Sequence, residues 1–130
     1  MLSPQAVMFL YSPESVKRFI QFLEEKEGWY FNHLGLPLSK KAVNYFNYFC
    51  IVLNDRIEPG PVSVFMGIEG NLEISWHDKD NNLFNVDFFD NKIEFYFEKT
   101  QQESLVVEPN IFEGIIGLVT KIIEIYKELK

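Results

Sequence analysis

The sequence predicts an α+β fold: two N-terminal helices, a four-stranded antiparallel β-meander and a C-terminal helix packed on the sheet. Three observations carry that prediction. Residues 72–98 alternate apolar and polar side chains in three short runs, Leu72–His77, Leu83–Phe89 and Lys92–Glu98, separated by Asp/Asn-rich turns. Residues 12–54 instead repeat apolar positions at helical spacing behind serine starts. Phe112, Ile115, Val119, Ile122, Tyr126 and Leu129 then follow at spacings of three and four.

The meander specifies its own register. A two-residue Asp90-Asn91 loop suits a primed hairpin turn, because both residues tolerate positive φ. Closing both hairpins symmetrically yields three apolar rows: Leu72-Phe88-Ile93, Ile74-Val86-Phe95 and Trp76-Phe84-Phe97. A slip of one residue destroys all three. The opposite face then carries Glu73, Asp87 and Glu94 in a single row, with Glu98, Tyr96, Asn85, Ser75 and His77 nearby. Like charges directly opposite on neighbouring strands cost up to about 1 kcal/mol per pair. Three explanations compete for this row: solvated and screened carboxylates, pairing with Lys or Arg of a partner protein, or metal and acid/base work.

Taken in order, Met1–Tyr11 leaves a short helix and an extended arm both open. Ser12-Pro13-Glu14 is a helix start, with Ser as N-cap, Pro at the first helical position and an acid near the positive end. Val16, Phe19, Ile20 and Leu23 supply its stripe, and Gly28 is expected to end it. Trp29–Leu38 reads as a connector that buries its aromatics; a ligand-lining loop is the functional alternative. Ser39 caps a second helix to about Asn54. Its uncharged run from Ala42 to Leu53 makes it central in the core or gives it a partner face through Tyr45 and Tyr48. Its aromatic and β-branched content leaves a strand open as well.

Pro59-Gly60-Pro61 joins the helical half to the sheet half. Val62–Gly67 is the first strand; either Val64 and Met66 or Ser63 and Phe65 face inward. Leu105–Val107 is at most a short edge strand. Asn110 and Glu113 are spaced like a capping box at the head of the last helix. Gly114 and Gly117 permit close approach to a neighbour. Eleven large apolar residues on this helix exceed what a small sheet needs, so a homodimer through the C-terminal helix competes with packing on the sheet.

Ile68-Glu69-Gly70-Asn71-Leu72-Glu73-Ile74-Ser75-Trp76, followed by Ile93-Glu94-Phe95-Tyr96-Phe97, resembles a pattern in a loose group of small uncharacterised bacterial proteins. The resemblance implies a bacterial source and a soluble meander, and it implies no activity.

Charge narrows the function classes. The chain of 130 residues carries a formal net charge of −7, with 47% hydrophobic and 16% aromatic residues. That composition describes one folded domain, not a disordered chain. Residues 69–108 hold ten Asp/Glu against three Lys, a net −7, so the sheet region accounts for the imbalance. Direct binding to nucleic acid or an anionic membrane needs basic patches and is not expected; a basic protein partner is. The single cysteine, Cys50, rules out a disulfide within the chain and points to a cytoplasmic location.

Catalytic constellations are not evident. Asp78-Lys79-Asp80-Asn81-Asn82 copies the start of a calcium loop, but Leu83 stands where Gly is needed and Phe89 where Glu is needed. His33 and His77 lack zinc spacing. No Ser or Cys sits in a nucleophile elbow, and no glycine run cradles a phosphate. The resulting expectation is a non-catalytic cytoplasmic binding module without cofactor or metal, of inhibitor, immunity or antitoxin type. It would meet a basic partner through Glu73, Asp87, Glu94, Tyr96 and Glu98. A small-ligand carrier or sensor, with an aromatic pocket between helices and sheet, is the alternative.

Overall fold

The computed structural model describes residues 2–129. Three helices precede the sheet: α1 (Pro4–Leu10), α2 (Pro13–Leu23) and α3 (Lys40–Leu53). Five antiparallel strands follow in sequential order: β1 (Val62–Met66), β2 (Leu72–His77), β3 (Leu83–Phe88), β4 (Lys92–Phe97) and β5 (Gln102–Val107). Helix α4 (Ile111–Glu128) closes the chain.

The fold class is as expected, with one helix and one strand more. The extra helix, α1, starts as α2 does, on a Ser-Pro pair. Ser3 Oγ accepts from Ala6 N at 3.1 Å and Ser12 Oγ accepts from Ser15 N at 3.2 Å. Ser39 caps α3 the same way, through Ala42 N at 3.1 Å. Each serine satisfies a backbone donor that a helix start leaves orphaned. Helix α3 settles the helix-or-strand question for 40–53, and Asn54 in the left-handed region ends it.

The three predicted rows form as expected. Leu72 pairs with Phe88 and Phe88 with Ile93; Ile74 with Val86 and Val86 with Phe95; Trp76 with Phe84 and Phe84 with Phe97. Strand β1 adds Val64 opposite Ile74, so Val62 and Val64 are buried while Ser63 and Phe65 face outward. All three rows are buried against the helices. Trp76 stacks on Phe84 at 5.2 Å, and Phe84 on Phe97 at 4.3 Å and on Tyr126 at 5.2 Å. Trp76 Nε1 donates to the Tyr126 hydroxyl at 2.8 Å, which satisfies the indole in an otherwise apolar stack.

Several local expectations are corrected. The Asp90-Asn91 loop has two residues, closed by Phe89 N donating to Lys92 O at 2.9 Å, but neither residue has positive φ, so the turn is not primed. Without a glycine the loop takes the negative φ that L residues prefer. Helix α2 stops at Leu23 and not at Gly28. Glu24, Glu25 and Glu27 oppose the negative end of the helix, and Gly28, at φ 82°, closes the next loop by donating to Gly35 O at 2.8 Å. The Asn110 side chain makes no capping bond, so the capping box does not form. Gly114 lies so close to β5 that an added Cβ would collide with Val106, whereas Gly117 faces open space.

Strand β5 was legible only as its last three residues. Its inward positions, opposite Phe97, Phe95 and Ile93, are Gln102, Ser104 and Val106. Its outward ones include Leu105 and Val107, 62% and 51% exposed. Polar-in and apolar-out is the reverse of the half-buried pattern, which a strand at the sheet margin tolerates because neither face is fully covered.

Candidate functional site

The aromatic core packs on one face of the sheet, and the outward-pointing residues of the strands make up the other. Across that outer face runs the row Phe65-Glu73-Asp87-Glu94-Leu105, one residue from each strand. The next row is Ser63-Ser75-Asn85-Tyr96-Glu103. Glu73, Asp87, Glu94 and Tyr96 thus fall together on one surface, as the alternation predicted. Glu98 lies just past β4, where its Oε1 accepts from Leu83 N at 3.0 Å, so that carboxylate is engaged in closing the sheet.

Asp87 is the centre of the row and is half-buried. Asn71, itself buried, donates from Nδ2 to Asp87 Oδ1 at 2.8 Å. Asn71 is held by the β1–β2 turn, where Gly67 leaves room for its side chain; a Cβ on Gly67 would collide with it. Burial pushes the Asp87 carboxyl up to about 6; the Asn71 bond works against that rise, while Glu73, Glu94 and Glu69 reinforce it. Asp87 is therefore raised above the range of an ordinary surface carboxylate.

Cations bound the row without neutralising it. Lys92 Nζ lies 3.2 Å from Glu94 Oε2, an exposed pair, and 4.6 Å from the centre of the Phe89 ring. At the other end, Arg18 of α2 sits over the Phe65 ring at 5.3 Å. Among the described residues, no three His, Cys, Asp or Glu side chains gather in a metal-holding group, so the acids form a line and not a cage. Asp78 Oδ1 accepts from Asp80 N and Asn82 N, both at 2.9 Å, and so braces the hairpin turn. Those bonds, set against partial burial, leave the Asp78 carboxyl below its ordinary range.

The other candidate face fares differently. Tyr45 is buried, edge-on to Phe112 of α4 at 5.5 Å, and Tyr48 meets the same ring at 5.0 Å. Both tyrosines therefore serve the α3–α4 contact. Helix α4 uses its broad stripe on both sides: Ile111, Ile115, Leu118, Val119, Ile122 and Ile125 are all buried within the chain. Phe112 and Ile116 remain about half exposed.

Sequence reasoning missed two surfaces. The 28–36 loop does not bury its aromatics: Phe31 is 76% exposed, and Tyr30, Leu34 and Leu36 are exposed too. Only Trp29 turns back, donating to Leu36 O at 2.7 Å and resting against Gly35. Nothing in the residue types separates this loop from a core plug, since the difference lies in how Leu36 N is tied to Ile68 O at the sheet margin. The second surface is a cavity of about 470 Å³ between α1, the end of α3 and residues 54–60. Met8, Phe9, Leu53 and Ile57 line it, with Asp55 and Glu58 at its rim.

No helix is long and apolar enough to cross a membrane, among the described residues. No family model, no curated protein and no solved structure matches the chain.

Proposed function

We propose that this chain is a non-catalytic binding module that receives a basic protein partner on its outer sheet face, in the manner of an inhibitor, immunity or antitoxin-type protein. One observation carries the reading: Glu73, Asp87 and Glu94 stand in register across the three central strands, on the face opposite the helix-packed core. Like charges in that arrangement repel one another in the free protein. A cationic partner relieves the repulsion, so the gain appears only on binding. The flanking Phe65 and Leu105 add apolar contact at either end of the acids, and a charged surface with apolar anchors is suited to protein recognition. The lone, buried thiol of Cys50 supports placing the protein in the cytoplasm.

The test is kinetic. Let the immobilised chain capture its partner from extracts of its own cells, and measure association of the purified partner at two ionic strengths. The screening length falls from about 10 Å at 0.1 M salt to about 3 Å at 1 M. Association should slow steeply over that range. Glu73→Lys with Glu94→Lys should slow it further, with a smaller change in off-rate. Salt-insensitive association would remove the acidic face from the mechanism.

A second reading, a small-ligand carrier or sensor, rests on a different place. Phe9, Phe46, Phe49 and Phe88 fill the space between helices and sheet with ring contacts of 5.6–6.3 Å. The cavity between α1 and α3 lies outside that packing and falls within the size range of small-molecule sites. Native mass spectrometry of protein taken from its own cells separates the two readings: a retained small molecule favours the cavity, and a protein adduct favours the acidic face.

A further inference from the structure

The two edges of the sheet are treated differently. Helix α2 covers the β1 edge, and Ser15 Oγ there donates to Val62 O at 2.5 Å. No strand lies beyond β5 among the described residues. Helix α4 passes beneath β5 on the inner face, with Gly114 against Val106 and Lys121 donating to Ser104.

Ladder phase shows which backbone groups this leaves open. Residue pairs in an antiparallel ladder alternate between exchanging hydrogen bonds and not exchanging them. Phe89 N donates to Lys92 O, so on β4 the alternate residues Lys92, Glu94 and Tyr96 bond toward β3. Ile93, Phe95 and Phe97 then bond toward β5, to Val106, Ser104 and Gln102. Glu108 N donating to Asn91 O at 3.3 Å continues the same phase. The backbone groups of Glu103, Leu105 and Val107 therefore point away from the sheet, at the free edge.

Edge strands are usually defended by lysine, proline, a bulge or a covering element. Gln102–Val107 contains no Lys and no Pro, its single charge is the acid Glu103, which a basic segment would not avoid, and its register with β4 is unbroken. Leu105 and Val107 are exposed along it. On the outer face beside it lies a concavity of about 510 Å³, lined by Asp87, Glu94, Tyr96, Glu103 and Leu105 among others. An open row of backbone groups thus adjoins the acids.

We infer that β5 is the docking edge for an extended, basic segment of the partner, which adds to the sheet as a sixth strand. This deepens the reading of the acidic face and rests on it. Backbone bonds to Glu103, Leu105 and Val107 hold the segment, and alternate lysines or arginines lie beside Glu103 and reach over β5 toward Glu94, two strands away. Charge decides the occupant. A second copy of this chain brings a further −7 and sets two acidic faces side by side. A cationic strand neutralises the face that is already there.

A short synthetic peptide of alternating lysine and valine is the probe, added to the intact chain. Amide exchange at Glu103, Leu105 and Val107 should slow roughly tenfold or more, while Gln102, Ser104 and Val106 change little. A peptide N-methylated at alternate residues, and one with glutamate for lysine, should fail to protect them. Leu105→Pro tests the edge within the protein, because the N–H it removes points away from β4, at an edge position where a strand accepts proline. It should weaken peptide binding by roughly tenfold or more with the β4 ladder intact. Leu105→Lys, which leaves the backbone whole, should weaken binding in the same direction.

Binding that survives N-methylation and Leu105→Pro, with shifts confined to Glu73, Asp87 and Glu94, would overturn the docking edge and leave the acidic-face reading standing. No response at any amide at millimolar peptide would overturn it too, with the salt dependence of the natural partner then judging the face separately. A dimer in sedimentation that Leu105→Pro dissociates would replace the basic segment with a second copy.

Discussion

On the inner face of the sheet, Ile74, Val86 and Phe95 stand in one row; one residue earlier on β2 and β4 and one later on β3, on the outer face, Glu73, Asp87 and Glu94 stand in another. The strands, turns and register are shared. The inner row is buried and bonded by dispersion and solvent exclusion, so its residue types follow from the fold. The outer row gains nothing from burial and loses something to repulsion. Folding explains the first row and does not ask for the second. The proposal of a partner on the outer face rests on that difference.

The largest expected effects break the inner face. Trp76→Ala and Phe95→Ala should each destabilise the protein by about 3–5 kcal/mol, since each leaves a large cavity among immobile neighbours. Trp76→Ala also strands the Tyr126 hydroxyl, which loses its indole donor. Urea midpoints are the measurement. Midpoints unchanged from the parent would mean that the inner face does not carry the fold.

The same contrast explains what the residues disclosed. Alternation over Leu72–Phe97 was legible because burial is nearly complete on one face, and nearly complete burial leaves only one register. Strand β5 was largely hidden, because a margin strand can carry Gln102 and Ser104 inward and Leu105 outward at little cost. Helix α1, at seven residues, is too short for a periodic stripe, although its Ser3-Pro4 start repeats the Ser12-Pro13 start of α2. The outer acids fall in one row as expected for the same reason as the core: once the inner rows are assigned, the outer ones follow. Asn71 was not singled out, because its bond to Asp87 depends on how the β1–β2 turn brings it back over β3.

A smaller effect sharpens the outer half of the comparison. Asp87 ordinarily titrates near 3.8 and here is raised to about 6, chiefly by burial. Between those values the folded protein binds more protons than the unfolded chain, so stability falls as pH rises through that window. Any contribution from protonated Asp87 is fully present below about pH 4 and lost above about pH 6. Asp87→Asn keeps an acceptor for Asn71 and removes the charge. With partial exposure and screening discounted, it should stabilise the protein by about 1–2 kcal/mol at pH 7.5 and by nearly nothing at pH 4. Thermal melts at the two pH values check this. A stabilisation equal at both would show that charge at Asp87 is not the cause.

The smallest effects come from the flanking acids, and their order carries the argument. Glu94 is itself exposed; it is drawn to Lys92 at 3.2 Å and repelled by the half-buried Asp87 opposite it. An exposed ion pair is worth about 0–1 kcal/mol and a facing like-charge pair costs a similar amount, so Glu94→Gln should shift stability by no more than about 0.5 kcal/mol either way. Its useful signature is the titration of Asp87, followed by carboxyl NMR. Burial is the leading cause of the raised Asp87 value, the Asn71 bond the next influence and opposed to it, then Glu73, then Glu94. Asn71→Ala should therefore raise the Asp87 midpoint, Glu73→Gln should lower it by a smaller amount, and Glu94→Gln by less again. None of the Gln variants should return Asp87 to the ordinary carboxylate range, because burial by the neighbouring side chains remains. Full recovery in Glu94→Gln would mean that mutual repulsion, and not enclosure, governs the row. The acids would then act as a loose field of surface charge. A persistent shift would mark Asp87 as a half-buried carboxyl whose ionisation a cationic partner favours on docking.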